Sequence, residues 1–288
     1  MGNTIREIQA VELDLLQEFK RVCEKHQIPF YIAQGTLLGA VRHGGFIPWD
    51  DDADVLIHAD DLERFAQVYP GENNGGYTLE RFRETPQVAY PWDKLRRKGT
   101  TSMPRRSQEI PMQWEICLDL FPYYHVGDGR LAHAAARLRF LIAKRMLGVT
   151  MTFYEDEVKF TSRLVRLLPV RLRAAIAAHM LDGMKRHQKP GRDVFATCRG
   201  GHFLRREWLE GEQRELPFEG VPFPVPADPH AFLTAMYGDY MTPPPESECC
   251  GHELKIGEIV WDTEHSYRDY LDGKLPYPGN GGLDEVDS

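Results

Sequence analysis

The stretch Phe30-Tyr31-Ile32-Ala33-Gln34-Gly35-Thr36-Leu37-Leu38-Gly39-Ala40-Val41-Arg42-His43-Gly44-Gly45-Phe46-Ile47-Pro48-Trp49-Asp50-Asp51-Asp52-Ala53-Asp54-Val55-Leu56-Ile57 decides how this chain folds. Phe30–Gln34 is a short apolar run of strand character, and Gly35-Thr36 breaks it. Leu37–Arg42 has helical spacing and ends at His43-Gly44-Gly45. After Phe46-Ile47-Pro48-Trp49 come four aspartates in the five residues 50–54, then Val55-Leu56-Ile57 as the body of a second strand. Alternate side chains of a strand share a face, so Asp52 and Asp54 are expected to project together, ~6–7 Å apart at Cα. Two such charges repel by roughly 3 kcal/mol at an effective dielectric of about 20. A divalent cation removes that repulsion, and hard oxygen ligands suit Mg2+ or Mn2+.

Upstream, Thr4-x-x-Glu7 reads as a capping box. It opens a helix striped by Ile5, Ile8, Val11, Leu15, Phe19 and Val22, with Pro29 just past its end. Downstream, Asp60–Tyr69 has helical spacing and Gly71–Gly76 is a polar loop. Tyr77–Arg83, Val88–Leu95 and Ile116–Tyr124 suit strands. Leu118-Asp119-Leu120 sets a lone carboxylate in an apolar strand, which is costly unless an arginine or a metal compensates it. Glycine at 35 admits backbone N–H groups close to a phosphate, and the helix start behind it adds partial positive charge. Apolar-Gly-Thr, a helical turn, Asp-apolar-Asp and a later lone Asp together form the pattern of a polymerase-β-type nucleotidyltransferase site, in which carboxylates hold metal on a donor's phosphates.

The region from Arg130 to Pro190 has a different character, with 13 Lys/Arg against 4 Asp/Glu in a chain of formal charge −8. Leu131–Leu147, Val158–Leu168 and Val170–Met184 read as helices with basic faces. Beyond Pro190-Gly191 lie a short strand region, Phe218–Val225, and a helix, Pro229–Tyr237, with Asp228 as N-cap. The expected fold is α+β: a nucleotidyltransferase-like mixed sheet flanked by helices, with an inserted or appended basic helical region. Residues 1–128 form the catalytic core, 129–192 the helical region, 193–273 the part completing the catalytic domain, and 274–288 a loose tail.

Tyr31–Val55 strongly resembles the signature of the LicD family, which includes phosphocholine transferases and fukutin-related ribitol-phosphate transferases. The likeness continues at Lys94, at Leu118-Asp119-Leu120-Phe121-Pro122, and at Tyr237-Gly238-Asp239-Tyr240-Met241 with Pro243-Pro244. It covers roughly residues 5–125 and 215–255, and no such motif stands in the basic stretch between them. The resemblance implies a phosphotransferase that moves a phospho-alcohol unit from a CDP-alcohol donor, CDP-choline or similar, to a glycan hydroxyl and releases CMP. By position, Asp52, Asp54 and Asp119 would be the catalytic metal ligands, and Gly35 and Thr36 would meet the donor phosphates.

Arg42 and His43 can neutralise phosphate, with a bridge to the acidic run as the alternative for Arg42. Lys94, beside Trp92, can contact the nucleotide, with an ordinary surface lysine as the alternative, and His252, past the proline-rich turn, can line the acceptor side, with a loop histidine of no special role as the alternative. Cys249-Cys250-x-His252 lacks Cys-x₂₋₄-Cys spacing and has no second pair, which argues against zinc. The basic helices suit a peripheral membrane contact with a lipid-linked acceptor, or are simply solvated. Overall acidity and the lack of aromatics among the arginines argue against nucleic acid.

Three other readings stand beside the phosphotransferase: nucleotidyl transfer of NMP to a small-molecule or sugar acceptor, a metal-dependent glycosyltransferase, and a calcium-stabilised binding module. The Asp pair follows only one helix and one strand, which disfavours the second, and the acidic run lacks the EF-hand pattern, which disfavours the third. With 42% hydrophobic and 27% charged residues the chain is an ordinary globular protein. Five cysteines, no signal-like N-terminus and no run of about 20 apolar residues lead to the expectation of a cytoplasmic protein, at most membrane-associated.

Overall fold

A computed structural model describes residues 5–85, 87–104, 110–150, 160–245, 249 and 259–277. Its centre is a mixed seven-stranded sheet with the path β1-β2-β6-β4-β3, in which β7 also pairs with β6, and β8 with β7. These strands span Phe30–Ile32 (β1), Ala53–His58 (β2), Tyr77–Glu80 (β3), Asp93–Arg97 (β4), Cys117–Val126 (β6), Asp193–Ala196 (β7) and His202–Arg205 (β8). The remaining strands form two small pairs: β5 (Thr101–Pro104) with β11 (Ile259–Asp262), and β9 (Arg214–Phe218) with β10 (Val221–Val225). The helices are α1 (Ile5–Lys25), α2 (Gln34–His43), α3 (Ala59–Glu72), α4 (Arg130–Gly148), α5 (Phe160–Arg166), α6 (Val170–Arg186), α7 (Arg206–Leu209), α8 (Pro229–Tyr237) and α9 (Tyr267–Leu271).

The apolar stripe of α1 buries Ile8, Leu15, Leu16, Phe19 and Val22. Phe19 meets Phe30 of β1 at 5.0 Å and Phe65 of α3 at 4.6 Å, so α1 and α3 share one layer against the sheet. The central strand β2 is buried from Ala53 to Ile57, on both faces, as a strand with parallel and antiparallel neighbours under cover must be. Leu118 and Leu120 of β6 join Val55 and Ile57 in the same core.

The ten residues of β6 serve two neighbours on one edge. Its first half pairs with β4 as far as Leu120, and its second half pairs with β7 from Tyr123 onward. Pro122 marks the change: it has no N–H for a ladder, and its carbonyl accepts from the Thr197 backbone N–H (3.2 Å) and hydroxyl (2.9 Å). A second apolar cluster lies where Ala136, Phe140, Ala143 and Leu147 of α4 and Ala177, Leu181 and Met184 of α6 pack with Tyr124, Val126 and Phe195.

The expected helices and strands are present with shifted ends. Helix α2 already starts at Gln34, so Gly35-Thr36 lies in its first turn and not between two elements. Asp52 precedes β2, which starts at Ala53. Helix α3 runs through Pro70 to Glu72 and takes up the start of the polar loop, while β3 stops at Glu80 and β4 begins only at Asp93. Phe218–Val225 holds the last residue of β9, the turn Glu219-Gly220 and all of β10, so the expected strand is the second arm of a hairpin, and Asp228 caps α8 by accepting from the Ala231 N–H at 2.9 Å. Thr4 of the capping box and the tail from 278 lie outside the described residues.

Candidate active site

The sheet register assembles the site. In the parallel pair β2–β6, Asp54 lies opposite Asp119, and in the antiparallel pair β6–β4, Asp119 lies opposite Lys94. Lys94 in turn faces Glu80 across β4–β3. A single row across four strands therefore reads Asp54, Asp119, Lys94, Glu80, and residues in register on adjacent strands share a face. The Lys94 ammonium donates to Asp119 Oδ1 and lies 4.6 Å from the centroid of the Tyr90 ring. Burial pulls the Lys94 pKa down, but Asp119, Cys117 and Tyr90 outweigh it and hold the pKa above its usual range. Glu80 accepts from Arg96 Nε at 2.8 Å.

Asp54 is buried, and its Oδ2 accepts from the Gln34 side-chain amide at 3.1 Å. Burial first, then the charges of Asp52 and Asp119, raise its pKa well above the carboxylate range. Its backbone N–H donates to Thr36 Oγ1 at 2.8 Å, so the Thr36 hydroxyl ties the first turn of α2 to the start of β2. Gln34 adopts a left-handed backbone (φ 49°), a sparsely populated conformation for a residue with a Cβ, at the point where its side chain reaches Asp54.

The acidic loop Asp50–Asp52 packs beside this row. One carboxylate oxygen from each of Asp50, Asp51 and Asp52 lies within 4.8 Å of the other two, with Asp51 buried. Gln9 of α1 shapes the loop by donating to the Ile47 carbonyl (3.1 Å) and the Asp50 carbonyl (2.9 Å). The absence of a side chain at Gly35 is required here, because a Cβ would stand 2.5 Å from Asp50 Oδ2. Beneath the loop, Glu12 of α1 is 1% exposed and its Oε2 has no hydrogen-bond partner. Burial, then Asp52, Asp51 and Asp50, raise its pKa well above the usual value.

Arg42 turns away from the acids and donates from Nη1 to the Tyr240 carbonyl at 3.0 Å. This contact joins the first motif to the Tyr237–Met241 motif nearly two hundred residues later in the chain. His43 is exposed, 6.5 Å from the Trp49 ring centroid, and desolvation followed by the Arg42 charge lowers its pKa, leaving it neutral at pH 7. His252 and Cys250 lie outside the described residues, and Cys249, like Cys23, Cys117 and Cys198, is a free thiol. Sequence reasoning missed Gln34, Gln9 and Glu12. Only Gln34 left a trace, as a polar residue closing an apolar strand run.

The carboxylates gathered here fit a hard divalent cation. Hard oxygen donors suit Mg2+ or Mn2+, and an orphaned buried carboxylate oxygen beneath an acidic loop is an arrangement that costs stability without positive charge nearby.

Residues 27–135, from just before β1 into α4, match the nucleotidyltransferase domain described as LicD/FKTN/FKRP. The lipopolysaccharide cholinephosphotransferase LicD of Haemophilus influenzae is 30% identical over 274 residues, covering 89% of this chain and 98% of its own. The chain belongs to the LicD family of phosphotransferases. Ribitol 5-phosphate transferase FKRP of Homo sapiens is 34% identical over 73 residues, 25% of this chain and 13% of that protein. An uncharacterized Rickettsia typhi protein is 40% identical over 77 residues, 26% of this chain. The LicD relationship thus extends over nearly the whole length, whereas the other two likenesses are short.

Proposed function

We propose that this LicD-family enzyme transfers a phospho-alcohol unit from a CDP-activated donor to a glycan hydroxyl and releases CMP. The observation that carries the reading is the register pairing of Asp54 with Asp119, flanked by the acidic loop on one side and Lys94 on the other. Full-length similarity to a cholinephosphotransferase supports the phospho-alcohol class.

Asp52, Asp54 and Asp119 would hold Mg2+ or Mn2+, with Asp50 and Asp51 close enough to share in it. A divalent ion held there supplies neutralisation of charge on the donor diphosphate. Lys94 fixes the Asp119 carboxylate in the row, and Gln34 does the same for Asp54. A carboxylate of this pair accepts the proton of the acceptor hydroxyl as its oxygen bonds to the phosphorus of the phospho-alcohol. The bond from that phosphorus to the bridging oxygen breaks, and CMP leaves with the electron pair. Gly35, in the first turn of α2 beside the Asp50 carboxylate, would let backbone N–H groups approach the donor's phosphates closely.

The test incubates the protein with CDP-choline, CDP-ribitol and CDP-glycerol, each with Mg2+, with Mn2+ or with chelator, and identifies the nucleotide product. CMP release that depends on metal is expected. Pyrophosphate from a nucleoside triphosphate, with no CMP from any CDP-alcohol, would overturn the proposal in favour of nucleotidyl transfer.

A further inference from the structure

Among the described residues, eight large apolar side chains are exposed, and six of them belong to α4, α5, the turn after α5 and α6. They are Leu131, Leu138, Leu141, Leu164, Leu167 and Leu172, with Leu131 87% and Leu167 79% exposed. On α4 the pattern is geometric. At 100° per residue, Leu131, Leu138 and Leu141 fall on the side opposite the buried Ala136, Phe140, Ala143 and Leu147. One face of α4 thus builds the second apolar cluster, and the other presents leucines outward. Scattered surface leucines are ordinary, but a concentration on one layer is not.

Exposed basic residues stand near these leucines in the chain. Arg130, Arg137, Lys144 and Arg171 are exposed, and none meets a carboxylate among the described residues. The span 130–190 carries 13 basic against 4 acidic residues in a chain whose net charge is −8. Outward leucines flanked by basic groups that meet no carboxylate among the described residues match the interface of an anionic bilayer, where the apolar side chains enter the headgroup boundary and the cations meet lipid phosphates. No described helix is long and apolar enough to cross a membrane, so such a contact lies on the surface.

We infer that the outer face of the α4–α6 layer docks on an anionic phospholipid membrane. Helix α4 follows directly from the C-terminal end of β6, whose N-terminal half carries Asp119, so docking leaves the acidic row free. The inference goes beyond the catalytic reading, and its test needs no turnover.

The experiment is cosedimentation of the full chain with vesicles of phosphatidylcholine alone and of phosphatidylcholine with about a third phosphatidylglycerol. Binding to the anionic vesicles alone, and its loss at high salt, is expected. Arg130→Gln/Arg137→Gln/Lys144→Gln should weaken binding about a hundredfold, at about fivefold per charge. Leu138→Gln/Leu141→Gln should weaken it at least about tenfold, through lost apolar burial. Circular dichroism checks that both variants keep their helices. Equal binding to neutral vesicles, no binding to either, or variants that bind like the wild type would overturn the inference. So would a dimer in light scattering that the leucine variant splits, since the face would then belong to a second copy of the chain.

Discussion

The sheet row around Asp54 and the α4–α6 layer handle charge in opposite ways. In and beneath the row, ionisable groups are buried or half-buried close together: Lys94 offsets Asp119, while Asp54 in the row and Glu12 on α1 are left with raised pKa values. In the helical layer basic residues outnumber acidic ones, several of them are exposed, and apolar side chains share the surface with them. The first arrangement costs folding energy and makes sense for a site that gains a cation and a substrate. The second costs little in folding and leaves a surface free to meet something else. Substitutions should therefore separate the two regions, with activity and stability sensitive in the row and insensitive in the layer.

The largest effect is expected on turnover. Asp54→Asn and Asp119→Asn should each lower metal-dependent CMP release by roughly a thousandfold or more, the scale for losing a group that stabilises charge in the transition state. Asp54→Asn should melt no lower than the wild type, because it removes a buried carboxyl whose ionisation is opposed first by burial and then by Asp52 and Asp119. Near-normal turnover in either variant, measured with a confirmed donor, would remove the row from the mechanism and the contrast with it.

Next comes Lys94→Met, which leaves Asp119 without its cation in a buried setting. A loss of about 3 kcal/mol is expected, the usual scale for breaking one side of a buried pair. Most of that loss should vanish in the Asp119→Asn background, and a double-mutant cycle by urea unfolding measures it. A smaller effect is expected at Gly35→Ala. The new Cβ collides with the Asp50 carboxylate and displaces it, so turnover should fall about tenfold with little change in melting temperature.

Glu12 sharpens the contrast through pH. Its pKa is raised in the folded chain, chiefly by burial and then by Asp52, Asp51 and Asp50, while in the unfolded chain it ionises near its ordinary 4.5. Between those two values the folded state holds a proton that the unfolded state lacks. With cations chelated, stability is thus full below about pH 4.5 and declines as pH rises toward the folded-state pKa. Glu12→Gln should flatten that decline and raise the melting temperature by roughly 3 °C at pH 8. Equal slopes for variant and wild type from calorimetry would show that Glu12 has no part in the charge balance of the loop.

Much of this contrast was legible in the sequence, for specific reasons. Val55-Leu56-Ile57 and Leu118-Asp119-Leu120 announce buried strands because a continuous apolar run has no other home, and a carboxylate within such a run stands out. The helical character of α4 and α6 was equally plain, since helical periodicity is local. The pairing of Asp54 with Asp119 could only be inferred from the pattern, because register is set between strands more than sixty residues apart. Gln34 and Glu12 escaped notice for the same reason. The partner of the Thr36 hydroxyl, the Asp54 backbone N–H, is likewise set by how α2 packs on β2. The family resemblance marked which residues matter, but the partner each one holds depends on how α1 and α2 pack on the sheet.

The smallest effect belongs to the helical layer, and it is the one that isolates the comparison. Leu138 and Leu141 point away from the cluster that Phe140 and Leu147 build, so replacing both with glutamine removes no core contact. Glutamine is also a good helix former, so helix propensity barely changes. The folded state should shift within about 0.5 kcal/mol, the ordinary range for exposed positions. CMP release from a soluble CDP-alcohol should be unchanged, because neither leucine touches the row of acids. If this pair of substitutions lowered the melting temperature as much as Lys94→Met does, the outer face of α4 would be packed against the protein in solution, and the division into a buried charged row and an open basic layer would fail.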